Sequence, residues 1–154
     1  HRKLAQLEQQ GKLSAVVTQN IDGLHQAAGS QCVYELHGSV HRNYCQRCGA
    51  FYDARYILES EGIPRCSCGS VIKPDVVLYE EGLDSQVLRG AVSAISRADM
   101  LIIGGTSLAV YPAAGLIDYF SGRHLVLINR DATPRDREAD LLIQGNIGEV
   151  LSGI

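Results

Sequence analysis

Four cysteines, spaced Cys45-x-x-Cys48 and Cys66-x-Cys68, constrain this chain more than any other feature. Seventeen residues (49 to 65) separate the two pairs. The spacing is too tight for ordinary pairwise disulfides but suits a metal. Four soft thiolates favour a closed, tetrahedral zinc site with no open position, hence a structural ion rather than a catalytic one. Gly49 and Gly69 directly follow the second cysteine of each pair, where a glycine lets amide N–H groups turn toward the thiolates. The single-residue gap in Cys66-x-Cys68 tightens the bite and leaves His41 as an alternative ligand. A loop of free thiols is the other reading. From Val40 to Val71 cysteine, glycine and scattered charge replace periodic apolar residues, so residues 40–78 read as an inserted zinc-ribbon module. Cys32, the fifth cysteine, reads as a small buried hydrophobe.

On either side the texture is regular. Residues 2–10 place Leu4 and Leu7 at helical spacing before Gly11. Ala15-Val16-Val17 and Val33-Tyr34-Glu35-Leu36 read as strands. Residues 85–96 align Leu88, Ala91, Val92 and Ile95 on one helical face. Met100–Ile103, His124–Ile128 and Asp140–Ile143 are further strands, with a helix opened by Pro112 and closed at Gly122 between the first two. All-apolar strands alternating with helices imply an open parallel sheet covered on both faces, a Rossmann-like α/β domain formed by 1–39 and 79–154.

A chain of 154 residues with 45% hydrophobic content can build one core plus a small appendage. A formal charge of −3 argues against nucleic acid or another polyanion as partner. No apolar run approaches the roughly 20 residues that span a bilayer, so no membrane association is expected. No signal-peptide pattern opens the chain, and thiol usage points to the cytoplasm. The chain opens at His1, inside a helical pattern, and so reads as a fragment.

Three polar segments leave strand ends, where open parallel sheets bind ligands. Thr18-Gln19-Asn20-Ile21-Asp22 is costly at the end of a buried strand unless it binds something, or unless Asp22 caps a helix. Gly105-Thr106-Ser107 offers close backbone approach and two hydroxyls, or simply a tight turn. Asn129-Arg130-Asp131 follows the next strand and could meet a ribose. His37, before Gly38-Ser39, sits at a strand mouth. With an unperturbed pKa near 6.5 it is suited to accept a proton, though a lone histidine can equally be structural.

Taken in order, Thr-Gln-Asn-Ile-Asp, His-Gly-Ser, the four cysteines and Gly-Thr-Ser with Tyr111-Pro112-Ala113 resemble the bacterial-type sirtuins, NAD-dependent protein-lysine deacylases. The resemblance runs from about Leu4 to the end. It implies that Gln19, Asn20, Ile21 and Asp22 hold the nicotinamide ribose and carboxamide. It implies further that Gly105, Thr106 and Ser107 contact the cofactor, that Asn129, Arg130 and Asp131 border the adenosine ribose, and that Ile147 lies near the adenine. In that chemistry the acetyl oxygen displaces nicotinamide, and a histidine like His37 removes a ribose hydroxyl proton. The products are lysine, nicotinamide and O-acetyl-ADP-ribose, and zinc takes no part. The acetyl-lysine peptide would add as a strand between Val77–Tyr79 and Leu108–Val110, with Val77, Tyr79, Leu108 and Val110 flanking it.

The family also opens with a strand and a Gly-Ala-Gly pyrophosphate loop, and no Gly-x-Gly precedes residue 18 here. That first strand would lie centrally, between 15–18 and 100–104, so these two are expected to stand apart with apolar inner edges. Two readings follow: the later part of a deacylase catalytic domain, inactive by itself, or a non-catalytic zinc-bearing α/β module.

Overall fold

A computed structural model describes all residues from 1 to 154. Helix α1 (Arg2–Gln9) leads into β1 (Val16–Thr18), the short α2 (Leu24–Ala27) and β2 (Val33–Glu35). β1 and β2 pair in parallel, with Thr18 opposite Glu35. Three strands follow: β3 (Gly38–Cys45), β4 (Phe51–Asp53) and, after α3 (Ala54–Glu59), β5 (Ile72–Val76). They form an antiparallel sheet in the order β4-β3-β5. Its ladder begins at Gly38 opposite Val76, two residues before the expected module boundary. Sequence texture hid these strands because their alternation is interrupted by thiols and by a register slip between Ser39 and Asn43.

The rest is a second parallel sheet. α4 (Ser85–Ser96) precedes β6 (Met100–Gly104), β7 (His124–Asn129) and β8 (Leu141–Gln144), which pair in that order, and α5 (Ile147–Ser152) closes the chain. β7 lies in the middle, and Leu125 to Ile128 are all buried, which explains its unbroken apolar run. Val126 and Ile128 pack with Leu151, Ile147 and Leu4, so α5 and α1 cover one face. The helix expected after Pro112 is a run of 3₁₀ turns, Ala113–Tyr119, with Ala113, Ala114, Leu116 and Ile117 buried. It packs with α4: Leu36, Ala91, Ile95, Ala113 and Leu116 share one cluster, joined by Tyr34 and Leu101. That cluster bridges the two parallel sheets. A Cβ at Gly90 would meet the Tyr34 ring at 2.3 Å, so only glycine lets α4 approach β2 this closely.

β1 and β6 belong to separate sheets, each at a free edge, as expected from the sequence. On β6, Met100 is 50% and Ile102 39% exposed, an unusual amount for strand residues of this type. No helix is long and apolar enough to cross a membrane.

Candidate functional site

The four thiols converge. The Sγ atoms of Cys45, Cys48, Cys66 and Cys68 all lie within 4.8 Å of one another, with Cys45–Cys68 and Cys48–Cys66 each at 3.5 Å. A tetrahedral ion with Zn–S bonds of about 2.3 Å places its sulfurs roughly 3.8 Å apart, so the cluster fits one structural zinc. Amide N–H groups of Arg47 and Cys48 point at the Cys45 sulfur (3.4 and 3.5 Å), and that of Cys68 at the Cys66 sulfur (3.5 Å). The Cys68 amide, helped by Tyr52, draws the Cys66 thiol down to about 5. Cys48, despite the Ala50 amide, is pushed up to about 11 by its hydrogen bonds to Cys45 and Cys66, so the four sulfurs share their hydrogens until an ion displaces them. Gly49 and Gly69 take φ of +70° and +83°, and the turn at Gly49 brings the Ala50 amide to the Cys48 sulfur. The sequence had left His41 as an alternative ligand. Its Nε2 instead lies 3.0 Å from the Asp22 carbonyl, and the cysteines complete the site without it.

Beyond the carboxyl ends of β6, β7 and β8 opens a cleft of about 430 Å³. Gly105, Thr106, Ser107, Asn129, Arg130, Asp131 and Ile147 all line it, so three segments singled out separately in the sequence meet in one place. Parallel registry does this: Gly104 pairs with Ile128 and Asn129 with Gln144, so the three strand ends are level. The Asn129 side-chain amide donates to the Thr106 carbonyl, and the Gly145 amide donates to the Asn129 carbonyl at 2.9 Å, tying the rim together. Gly105 has φ +65°, and a Cβ there would meet nothing within 4 Å, so backbone lies open to a ligand on that side. Ile128, Ala132, Thr133, Gly145 and Asn146 also line the cleft and had not been singled out. Gly145-Asn146 carries the available signal, a turn pair at a strand end before Ile147.

The segment after β1 runs from this cleft toward His37. The Gln19 amide reaches the Thr106 hydroxyl at 3.4 Å, a long contact that links the two parallel sheets. The Asn20 amide N–H donates to the Thr18 hydroxyl, and one Asp22 oxygen accepts the Leu24 amide at 3.0 Å, a local turn one residue ahead of the helix cap, which is Gly23 rather than Asp22. Asp22 remains exposed, so this turn does not exhaust its carboxylate. His37, half-buried between β2 and β3, places Nδ1 3.0 Å from the Gln19 carbonyl. A carbonyl can only accept, so Nδ1 carries the hydrogen and, in the neutral ring, Nε2 holds the lone pair. The His37 carbonyl in turn accepts the Val77 amide at 3.1 Å, which sets the start of the 77–79 segment beside the histidine.

The four residues expected to flank a peptide are not alike. Tyr79 is fully exposed and Val110 54% exposed, whereas Leu108 is 8% exposed and takes φ +52°. Leu108 therefore offers backbone rather than side chain to any peptide.

Residues 1–112 match a family model described as Sir2 family. A protein of Clostridium perfringens named NAD-dependent protein deacetylase is 64% identical over 156 residues, covering 100% of this chain and 64% of that protein. One of the same name from Cutibacterium acnes is 59% identical over 154 residues, covering 100% and 63%. This chain thus spans a little under two thirds of these curated relatives. A solved structure titled "Sir2-p53 peptide-NAD+" superposes with a TM-score of 0.92 at 45% identity, covering 99% of this chain and 66% of that one. Another, "Sir2 bound to acetylated peptide", gives 0.93 at 44%, covering 99% and 67%.

Proposed function

The chain belongs to the Sir2 family, and from that premise we propose that it is the larger part of an NAD-dependent protein-lysine deacetylase. One observation carries the reading: the hydrogen bond from His37 Nδ1 to the Gln19 carbonyl, which leaves Nε2 as a base beside the Gln19–Asp22 segment. Bound NAD would supply an electrophilic ribose carbon and a leaving nicotinamide. Gly105, Thr106, Ser107, Asn129, Arg130, Asp131 and Ile147 would hold its adenosine half. Gln19, Asn20, Ile21 and Asp22 would hold the nicotinamide half, and His37 would accept the ribose hydroxyl proton. An acetyl-lysine peptide would lie along Val77–Tyr79 and Leu108–Val110, with Val77 and Tyr79 beside the apolar lysine stem. One zinc held by Cys45, Cys48, Cys66 and Cys68 would fix the 40–78 module on the nucleotide domain of 1–39 and 79–154, in the reducing cytoplasm.

A second reading concerns residues 1–154 by themselves. The free edges of β1 and β6 favour the view that this stretch alone binds nucleotide weakly and turns over little peptide. Deacetylation of an acetyl-lysine peptide by the isolated stretch, at a rate comparable to the full-length protein, would refute it. For the main reading, His37→Ala in the full-length protein should lower deacetylation by on the order of 10²–10⁴ while the fold is kept. Near wild-type turnover in that variant would remove His37 as the base. Asp22→Asn should weaken NAD capture and nicotinamide exchange, and unchanged values for both would remove Asp22 from the site.

A further inference from the structure

Arg42 occupies a junction that the proposed chemistry leaves unused. The ladder between β3 and β5 slips after Ser39, so Val40, His41 and Arg42 bulge out of pairing with β5 before it resumes at Asn43, while Arg42 still opposes Asp53 on β4. From this bulge Arg42 Nη1 donates to Glu35 Oε2 at 2.6 Å and Nε donates to Asp75 Oδ2 at 2.8 Å. Glu35 is only 8% exposed, and a carboxylate buried that far needs its counter-charge.

The three residues belong to three different working segments. Glu35 ends β2, two residues before His37. Asp75 lies in β5, two residues before Val77, whose amide bonds the His37 carbonyl. The bulge itself touches the nicotinamide-side segment: the Val40 amide donates to the Ile21 carbonyl at 3.1 Å, and His41 Nε2 lies 3.0 Å from the Asp22 carbonyl. Asn43, 2% exposed, braces the bulge from behind by donating to the Val40 and Tyr52 carbonyls. There is little slack nearby, since a Cβ on Gly38 would stand 1.9 Å from the Asp75 carbonyl oxygen.

We propose that Arg42 is a positioning residue, a two-pronged clamp on Glu35 and Asp75 that sets His37 against the strand receiving the acyl-lysine peptide. The guanidinium suits this task because its planar fork reaches two carboxylates in fixed directions, whereas an ammonium is a compact point charge without that fixed spread. The clamp acts through His37 and Val77 and touches no substrate. None of its three residues lines the nucleotide cleft, which is built on the other parallel sheet. It rests on the deacetylase reading above.

The test uses the full-length protein as Arg42→Lys, as Asp75→Asn and as the pair Glu35→Gln with Arg42→Met, which leaves no buried carboxylate unpaired. Each is measured for kcat and KM with an acetyl-lysine peptide, for ADP-ribose affinity and for zinc content. Arg42→Lys and the pair should lower kcat by on the order of 10²-fold, the scale of a small misplacement of reacting groups. KM should move less, and ADP-ribose affinity and zinc content should stay at wild-type values. Asp75→Asn, which keeps an acceptor for Nε, should retain most of kcat. Wild-type kcat in Arg42→Lys and in the pair would overturn the proposal. So would a fall in kcat accompanied by lost zinc or lost ADP-ribose binding, since Arg42 would then merely hold the fold. An inactive wild type with intact ADP-ribose binding would overturn the deacetylase reading itself, and the clamp with it.

Discussion

The thiol cluster and the cleft at the ends of β6, β7 and β8 are assembled in opposite ways. The cluster draws its four ligands from 24 consecutive residues, 45 to 68, and its core is small: Cys45, Cys66 and Ile72 buried, with Ala50, Tyr52, Ile57 and Cys68 packed around them. The cleft draws on residues from 105 to 147 and rests on a sheet whose central strand is buried along most of its length. A region with so few buried apolar residues depends on its metal, whereas the cleft depends on strand registry. The two should therefore fail independently.

The largest effect expected from that contrast is metal removal. Structural zinc contributes on the order of 10–16 kcal/mol in small thiolate domains, far more than the apolar core here supplies. A strong chelator, or Cys66→Ser, should expose the amides of β3, β4 and β5 to rapid hydrogen exchange while β6, β7 and β8 stay protected. Equal loss of protection in both regions would erase the distinction. Protein refolded with zinc should hold close to one atom per chain, and a disulfide between any two of the four cysteines would contradict the site.

Next in size are changes at the cleft that leave the module alone. A Cβ at Gly104 would meet Ile147 Cδ1 at 2.2 Å and the Ile128 carbonyl at 3.1 Å, so Gly104→Val should push α5 outward. Asn129→Ala should free the Thr106 carbonyl and loosen the same rim. Both should weaken ADP-ribose binding at least several-fold, with Gly104→Val the worse, and neither should alter zinc content. Calorimetric titration with ADP-ribose beside metal analysis separates these outcomes, and undiminished binding would mean that the cleft is not the nucleotide site.

The smallest effect concerns α4, which holds the two parallel sheets together. Asp84 caps it, accepting from the Gln86 and Val87 amides at 2.7 and 2.9 Å. Those amides, that of Val87 foremost, hold its carboxyl below the usual range. A depressed folded-state value means that the cap contributes above the ordinary carboxylate pKa and is lost as pH falls through the folded one. Asp84→Ala should therefore lower the melting temperature slightly at neutral pH, and the gap to wild type should close in acid. A gap independent of pH would assign the effect to helix propensity instead.

Much of this was legible in the chain. The cysteines revealed their cluster because metal spacing is local, and Met100–Ile103 and His124–Ile128 revealed parallel strands because their apolar runs are unbroken, although only the second is buried. The 3₁₀ character of Ala113–Tyr119 was not legible, since Ala, Leu and Ile at helical spacing suit either winding and packing against α4 makes the choice. Nor was the strand structure of 38–76, where ligand and bulge positions break the alternation that marks a strand.

What the sequence alone determined is the set of groups whose chemistry is carried by near neighbours: four thiols with their glycine turns, a strand-end histidine, and polar residues closing apolar strands. Tertiary structure decided everything that depends on distant partners. The His37 tautomer follows from a carbonyl 18 residues away, and the convergence of 105–107 with 129–131 and 147 follows from level strand ends. The burial of Leu108 and the Arg42 clamp across residues 35 and 75 were likewise invisible. The reason is physical: spacing along a chain specifies what a short segment can bind or fold into. Which segments meet is set by backbone registry and packing summed over the whole molecule.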